Sequence, residues 1–510
     1  MSNIKNGMIL GGLIFLLYFA TLFAGLLKVD AQYLYLIICF MCFLYKTIVY
    51  SKRWELIPPI LCIFILANYL FHIKAYFAPF CTLLILAMYY FDNKKNIQYG
   101  IIFTAFIFNL SFVSNTGISD VSYDFASCYN YMEYILENKF MFFKENPLLT
   151  RPSYSSYHPI LQFFIGAFVL NIGDIITNNR SIANEALQVI SCSYMLIYYI
   201  ITNKIIDYFK FNKITHLVIL AFVCFFPTYN AIAGFINNDT LLLPLQALVI
   251  YFSLSYYKSG GMKNVFYIIL FNALAQLTKL SSILVLGVVG IVMFLRLINN
   301  KNKQTVNEII YLSLGIIIGC LIWPMYQYFV LGLEFGFVPP QSHLSLEKYS
   351  LFDKYAPHKA IFYDRIFYED FGINLWETLT KTALFGQWNF SYRAKSVMWS
   401  IYTLIVLYKM IIILNISGFI FLCIKQYKNI NFWFVFCLII PLFLGMIAFV
   451  VKHPYMCNQD FRYIAILPLP IAIISGLLMQ NLNKKINITI NVLYCLFSFC
   501  SCFVWWFVSW

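Results

Sequence analysis

Residues 98–124, QYGIIFTAFIFNLSFVSNTGISDVSYD, join an apolar run directly to an acidic loop. The apolar part, 98–114, has the length that a helix needs to cross the hydrocarbon core of a bilayer, about 17 to 25 residues. The loop that follows carries Asp120 and Asp124. A carboxylate at the end of a membrane span lies at the water–lipid boundary, where an enzyme with a lipid-linked substrate needs its general base.

The whole chain has the composition of a membrane protein. Of its 510 residues, 62% are hydrophobic and only 11% are charged, and the mean hydropathy is +0.76. A soluble protein of this composition would have too little polar surface to offer water. Because helices satisfy their own backbone groups in lipid, we predict an all-α, polytopic membrane protein.

Similar apolar runs recur along the sequence. Candidate spans lie near 8–27, 32–50, 55–72, 75–91, 98–114, 186–202, 214–231, 239–257, 264–278, 280–297, 307–329, 399–424, 431–451, 463–481 and 486–509. The first is too long for the apolar part of a signal peptide, and we interpret it as a retained anchor.

Lysine and arginine predict the orientation. They cluster in short loops after every second span, at Lys46, Lys52, Arg53, Lys94, Lys95, Lys204, Lys210, Lys213, Lys258, Lys263, Arg296, Lys301, Lys303, Lys425, Lys428, Lys484 and Lys485. All of these fit the cytoplasmic side, with the N-terminus inside. The net charge of +14 therefore reflects membrane topology, and we expect no nucleic-acid partner.

In this topology, one of two neighbouring apolar runs does not fully cross the membrane. An odd number of crossings must separate the outer residue 158 from the inner residue 204. Of the runs 159–173 and 186–202, we expect the shorter one, 159–173, to be re-entrant or to lie in the interface.

The chain divides into four parts. Residues 1–97 form a block of four spans, and residues 98–329 form a core whose first outer loop is 115–158. Residues 330–398 form a large outer loop, and residues 399–510 form the C-terminal spans.

Both long outer loops contain a predicted amphipathic helix at the membrane surface. After Asp124, apolar residues recur at helical spacing. In the second loop, Asn374 caps a helix that Gly386 ends. Leu375, Leu379 and Ala383 form its buried stripe.

The polar residues on the outer side each have two interpretations. Asp124 is either the general base that deprotonates an acceptor hydroxyl or the N-cap of the next helix. His158 binds a phosphate or a metal, or makes a structural hydrogen bond. Asp239, together with Asp124, positions an acceptor or a divalent cation, or it belongs to a turn and helix cap with Asn237 and Asn238.

The basic residues on the outer side also have alternative interpretations. Lys279 neutralises a leaving phosphate, or its ammonium snorkels to the surface. Arg462 needs a partner at that depth, either Asp460 or a lipid phosphate that its planar fork would bind. In the alternative interpretation, Arg462 is an interfacial anchor and Tyr463 belongs to the aromatic belt.

Several loop residues add weaker candidates. Trp388 and Arg393 follow Gly386, and a Trp there can stack on a sugar ring or belong to the aromatic belt. Cys128 and Cys457 are the two cysteines in polar loops, and a disulfide between them is an open alternative.

Taken together, five segments resemble those of the GT-C glycosyltransferases, in the branch of the protein O-mannosyltransferases and the lipid A aminoarabinose transferases. The segments are Tyr123-Asp-Phe-x-x-Cys128-x-x-Tyr131, Tyr157-His-Pro-Ile-Leu, Asn238-Asp239, Leu277-Thr-Lys279 and Asp460-Phe-Arg462-Tyr463. Trp323 and the segment 381–386 also resemble this branch. The resemblance covers about residues 98–481. Cys128 stands where relatives often carry His, Ile160 where a second Pro is usual, and Phe125 where many have a second acid.

The resemblance implies a GT-C-like helical bundle and an inverting transfer on the non-cytoplasmic face. The donor would be a polyprenyl-phosphate-linked sugar and the acceptor a hydroxyl of a glycan, lipid or protein. Asp124 would be the base, and Lys279 and Arg462 would stabilise the departing phosphate. The other substrate-binding candidates are Asp120, Tyr131, His158, Asp239, Trp388, Arg393 and Tyr463.

We predict no cofactor and leave a divalent cation as an open alternative, although the departures in the first loop argue against a metal site there. The membrane would be a bacterial plasma membrane, or the endoplasmic reticulum in a eukaryote. The alternatives are a lipid-linked saccharide flippase or transporter and a polysaccharide polymerase or ligase. A flippase would place ionisable residues near span midpoints, and a polymerase would rely more on outer arginines.

Overall fold

The computed structural model describes residues 2–45, 81–82, 97–119, 124–139, 157–339, 341, 344–357, 372–387 and 398–508. These residues form eighteen α-helices and no strand, so the all-α prediction is confirmed for this part of the chain. The helices are α1 Ser2–Leu27, α2 Ala31–Tyr45, α3 Ile97–Asn115, α4 Phe125–Glu137, α5 Leu161–Thr177, α6 Arg180–Tyr208, α7 Lys213–Cys224, α8 Thr228–Gly234, α9 Asn238–Ser259, α10 Met262–Gln276, α11 Leu286–Asn299, α12 Lys303–Phe329, α13 Leu351–Tyr355, α14 Leu375–Phe385, α15 Met398–Lys425, α16 Ile430–Lys452, α17 Pro468–Asn481 and α18 Lys484–Val508.

Nine helices in the described ranges are long and apolar enough to cross a membrane, which confirms a multi-pass membrane protein. They cover Leu10–Leu27, Ile97–Asn115, Arg180–Tyr208, Asn238–Ser259, Leu280–Asn299, Lys303–Phe329, Met398–Lys425, Ile430–Lys452 and Lys484–Trp506. The pair α7 and α8, bent by 51° at a break of a few residues, would add a tenth. The predicted spans 55–72 and 75–91 lie outside the described residues, apart from 81 and 82.

Two helices of different length lie between residues 158 and 204. α5 has 17 residues, one of the shorter apolar helices, whereas α6 has 29 and is long enough to cross. The helix in the predicted span 463–481 is shorter than that span. A 3₁₀ turn occupies its first residues, and α17 begins only at Pro468, since proline is favoured in the first helical turn.

The two helices predicted in the outer loops are present. α4 buries Cys128, Met132 and Ile135 against α5. α14 is capped by the side chain of Asn374, which accepts the N–H groups of residues 376 and 377, and it ends at Gly386, whose φ is 58°. Nine of the eleven residues of α14 are buried. The helix is therefore packed inside the protein around most of its circumference, and not only along one face.

The backbones of α11 and α16 approach closely. A Cβ atom built on Gly287 would lie 2.1 Å from the carbonyl oxygen of Cys437 in α16. Small residues permit this kind of close helix contact in membranes. The contact fixes α11, and with it the turn that precedes α11, against α16.

We predict that Gly287→Ala separates these helices and lowers the melting temperature of the purified protein. The clash with a backbone atom should cost about 1–3 kcal/mol, as for other overpacked contacts. Gly290→Ala is the matched control, since nothing lies within 4 Å of a Cβ at Gly290. Equal melting temperatures for both variants would contradict this account.

Candidate functional site

Asp124 is the N-cap residue of α4, but its side chain makes no capping hydrogen bond. One carboxylate oxygen, Oδ2, instead accepts a hydrogen bond from Nη1 of Arg462, 338 positions further along the chain. The side chain remains 43% exposed, and it lies on the wall of a pocket. The capping interpretation of Asp124 therefore does not describe its side chain.

Asp239 and Lys279 form a second ion pair, and both are buried. Nζ of Lys279 lies 2.5 Å from Oδ1 of Asp239. The neighbouring Asn238 donates its side-chain N–H to the carbonyl of Thr278 at 3.1 Å, which ties the start of α9 to the residue before Lys279. Lys279 is therefore held inside the protein, and its ammonium does not snorkel to the surface.

Arg462 contacts three carboxylates. Besides Asp124, its Nη1 lies 3.9 Å from Oδ2 of Asp239 and its Nε lies 3.5 Å from Oδ2 of Asp460. Asp460 also accepts the backbone N–H of Arg462 at 3.0 Å and the side-chain N–H of Gln387 at 2.9 Å. The expected Asp460 partner is present, but Asp124 is the closer one.

The turn that carries Arg462 is fixed from two sides. The backbone N–H of Phe461 donates to Oγ1 of Thr382 in α14 at 2.8 Å. The phenol of Tyr229 in α8 donates to the carbonyl of Ala465 at 2.8 Å. Thr382, the acceptor, and Tyr229, the donor, both belong to short helices and are buried, so the guanidinium is carried on a rigid support.

Tyr463 lies beneath both cations. The ammonium of Lys279 is 4.5 Å from its ring centroid, and the guanidinium carbon of Arg462 is 5.5 Å away. A ring face attracts cations at these distances. Tyr463 therefore helps to hold the two cations side by side.

His158 reaches the same site from the loop before α5. The carbonyl of Tyr157 accepts hydrogen bonds from Trp323 at 3.2 Å and Gln327 at 2.9 Å, both in α12. The Tyr157 ring contacts the imidazole at an interplanar angle of 40°, with centroids 4.1 Å apart. Sequence reasoning gave no sign of the anchor at Gln327.

These side chains line one pocket of about 600 Å³. Its polar end is formed by Asp124, His158, Asn237, Asn238, Asp239, Lys279, Arg462 and Tyr463. Its other walls include an apolar patch from the 3₁₀ turn 280–285 and from α16, at Ile283, Leu284, Gly445, Met446, Ala448 and Phe449. Residues 336–339 and, at the rim, Lys452 and His453 also line the pocket. Sequence reasoning predicted none of these residues as part of the site.

Burial and charge determine the ionisation of the site. Burial alone would raise the pKa of Asp124, but the charge and hydrogen bond of Arg462, together with weaker contributions that include the charge of Lys279, lower it. Burial raises the pKa of Asp460 despite Arg462. Burial, together with the charge of Lys279, lowers the pKa of His158 to about 3, so the imidazole is neutral at physiological pH.

The remaining predicted residues lie elsewhere. Tyr131 is fully buried, packs on Phe163 at a centroid distance of 4.7 Å and is not part of the pocket wall. Asp120, Trp388 and Arg393 lie outside the described residues. Cys128 and Cys457 both line the pocket, and no disulfide joins these two described residues.

Within the described ranges, no three His, Cys, Asp or Glu side chains are grouped so that they could hold a metal ion. The charges of the site pair with one another instead. Two carboxylates and two cations alternate around the polar end of the pocket, which suits a substrate that carries both hydroxyls and a phosphate.

We predict that Lys279→Met and Asp239→Asn each destabilise the protein, whereas the double variant recovers most of the loss. Removing one partner of a buried ion pair leaves an uncompensated charge, at a cost of about 3–5 kcal/mol. The measurement is the melting temperature of each purified variant. Arg180→Met, which removes an exposed ion pair with Asp174, is the control and should have little effect. Simple additivity of the two single effects would argue against direct pairing.

Comparison with known proteins adds no relative to this description. No family model matches the chain, and no curated protein is significantly similar to it in sequence. The functional argument therefore rests on the residues and on their arrangement.

Proposed function

We propose that this protein is an integral membrane glycosyltransferase that moves a sugar from a polyprenyl-phosphate donor to an acceptor hydroxyl on the non-cytoplasmic face. The observation that carries the proposal is the convergence of Asp124, Asp239, Lys279 and Arg462 in one pocket. A glycosyl transfer from a lipid phosphate needs a base for the acceptor and cations for the leaving group, and the pocket holds both.

The location of the pocket relative to the spans supports the proposed side of the membrane. Asp239 and Lys279 stand at the beginnings of their spans, whereas Asp124 and Arg462 follow the ends of theirs. The opposite ends of these spans carry or adjoin Lys94, Lys95, Lys258, Arg296 and Lys428. The positive-inside rule assigns those ends to the cytoplasm, and the pocket then faces the other side.

The apolar wall of the pocket suits the lipid part of such a donor. Ile283 is 52% exposed, and Met446 and Phe449, which line the same pocket, belong to the membrane-spanning α16. A polyprenyl chain lying along this wall stays in the bilayer while its phosphate reaches Lys279 and Arg462. A soluble nucleotide sugar has no lipid tail that could lie along this apolar wall.

The proposed reaction is a single in-line displacement. Asp124 removes the proton of the acceptor hydroxyl, whose oxygen forms the new bond to the anomeric carbon. The bond from that carbon to the phosphate oxygen breaks, and its electron pair leaves with the phosphate. Lys279 and Arg462 stabilise the charge that develops there, as fixed cations do in a partly dry site.

Because of the ion pair between Asp124 and Arg462, the donor must bind before Asp124 becomes a strong base. Without a donor, Arg462 keeps Asp124 ionised and weakly basic, since its charge lowers the pKa of the carboxyl. A donor phosphate competes for the same guanidinium. As Arg462 turns to the phosphate, the pKa of Asp124 rises, and the carboxylate becomes a stronger base only when the donor is bound.

We expect a polyprenyl phosphate or its glycoside to co-purify with the protein and to be lost from Arg462→Ala. The reason is that Arg462 supplies two-pronged recognition of the phosphate. Mass spectrometry of lipids extracted from equal amounts of the two proteins measures the occupancy. Arg180→Ala, a change outside the pocket, should retain the lipid. Equal lipid occupancy in Arg462→Ala, or no polyprenyl lipid in the unmodified protein, would contradict the donor assignment.

We expect Asp124→Asn to lower the rate of transfer by about 10²–10⁴-fold, the usual contribution of a general base. The assay is release of polyprenyl phosphate from the donor in proteoliposomes. The melting temperature of the variant should show that it remains folded. Asp353→Asn, in the exposed helix α13, is the matched control and should keep full activity. Near-normal turnover in Asp124→Asn would remove Asp124 from the role of base.

A further inference from the structure

The helix α14 is buried, yet it carries three threonines. Thr378, Thr380 and Thr382 are at most 7% exposed, although threonine is a weak helix former and is mostly found at the surface. Each hydroxyl donates to the backbone carbonyl four residues before it. Apolar residues would fill the same space without these polar groups, so packing alone does not explain the three threonines.

Thr382 differs from its neighbour Thr380 in what its hydroxyl oxygen accepts. Oγ1 of Thr382 accepts the backbone N–H of Phe461 at 2.8 Å. Phe461 begins the 3₁₀ turn that carries Arg462, and it is only 3% exposed. A buried N–H without an acceptor is costly, so Thr382 supplies the partner that the first residue of this turn requires.

The two residues before Phe461 are held by the same segment of the outer loop, residues 373–387. Asp460 accepts the side-chain N–H of Gln387 at 2.9 Å. Gln459 donates its own side-chain N–H to the carbonyl of Ile373 at 3.2 Å. Three consecutive residues before Arg462 are therefore bonded to α14 or to the residues that flank it, and all three are buried.

The described residues 344–357 of the outer loop brace α14 in turn. The side chain of Asn374, the cap of α14, donates to two backbone carbonyls of this segment, at 3.0 and 3.2 Å. At the other end of the segment, the backbone N–H of Leu346 donates to the carbonyl of Pro454 at 2.7 Å. The outer loop and the link 454–461 thus form one hydrogen-bonded unit.

This unit holds the backbone from which the guanidinium extends. The N–H of Phe461 is bonded to Thr382, and the N–H of Arg462 itself is bonded to Oδ1 of Asp460 at 3.0 Å. With both groups held, the guanidinium lies beside Asp124 on the pocket wall. A displacement of about 1 Å can cost a factor of about 10² in rate, so the position of this turn matters for chemistry as well as for folding.

We propose that α14 is a positioning element of the site, and that Thr382 is the residue through which it aligns the guanidinium of Arg462 with the donor phosphate. The identity of the ligand as a phosphate rests on the proposed function. Thr382 is not part of the pocket wall, and it acts through the backbone of Phe461. The large outer loop thereby takes part in recognition of the donor.

Thr380 offers a matched comparison on the same helix. Its hydroxyl donates to the carbonyl of Trp376 at 2.8 Å, just as that of Thr382 donates to the carbonyl of Thr378 at 2.7 Å. Of the two, only Thr382 contacts the turn of Arg462 in the described part of the chain. Valine replaces either hydroxyl by a methyl group of similar size, so the two variants differ in that one contact.

The test is calorimetric titration of the full-length protein in detergent with farnesyl phosphate, a short polyprenyl phosphate. Thr382→Val should weaken binding about tenfold or more, as when a hydrogen bond to a charged group is lost. Thr382→Ser keeps the hydroxyl and should restore most of the affinity, and Thr380→Val should bind like the unmodified protein. Gln387→Met removes the bond to Asp460 and should also weaken binding, which decides the matter if Thr382→Val does not fold.

A second measurement does not depend on the ligand. Thr382→Val and Asp124→Asn both weaken the hold on Arg462, the first by releasing its turn and the second by removing a charge. Together they should lower the melting temperature by less than the sum of their separate effects, as coupled residues do. Thr380→Val and Asp124→Asn should be additive.

The outcomes separate the two proposals. Unchanged affinity in Thr382→Val, an equal loss in Thr380→Val, or no recovery in Thr382→Ser would show that α14 contributes only to stability. Normal affinity in Gln387→Met, or additive melting temperatures for Thr382→Val and Asp124→Asn, also overturns the inference. If the unmodified protein does not bind farnesyl phosphate, the proposed function fails, and the melting temperatures alone decide whether Thr382 positions Arg462.

Discussion

Arg462 at the depth of the pocket is the constraint on which the arrangement of the site depends. A buried guanidinium is costly unless acids surround it, and here three carboxylates do so. These acids come from three places in the chain: the loop after α3, the first turn of α9 and the link between α16 and α17. Satisfying one cation therefore brings together helix ends that are hundreds of residues apart in sequence.

The same pairing bears on how the proposed site would select a ligand. Asp124 and Arg462 neutralise each other, and Asp239 does the same for Lys279. A ligand gains binding energy only if it replaces these contacts with equally good ones. In the proposed reaction, a phosphate replaces a carboxylate on Arg462, and the carboxylate that is released becomes the base.

The sequence predicted the helices well because long apolar runs leave the backbone few alternatives in lipid. The capping of α14 by Asn374 and its end at Gly386 follow from local backbone chemistry, and they were predicted correctly for that reason. The prediction for 463–467 was wrong in detail, because an apolar composition does not distinguish a 3₁₀ turn from the start of a helix. Local rules also favoured Asp460 as the partner of Arg462, since it is two residues away.

The pairing of the charges could not be predicted, because it depends on tertiary contacts. Asp124 meets Arg462 across 338 positions, and Asp239 meets Lys279 across 40. The same limit applies to Tyr131, whose position in a helical pattern gives its spacing but not its direction. The structure places it in the packing between α4 and α5.

The interruptions of the helices give the strongest argument that this pocket is the site. Non-helical backbone at membrane depth is tolerated only where it is buried in protein or lines a cavity. Here α10 ends at Gln276, a 3₁₀ turn follows at 280–285, and two more such turns lie between α16 and α17. Lys279 and Arg462 stand at these interruptions. The two short apolar runs 264–278 and 280–297, separated only by Lys279, are the trace of this geometry in the sequence. A chain selected only to fill a bilayer would have no reason to place buried cations in the turns between its helices, and here two such turns bring Lys279 and Arg462 to one pocket.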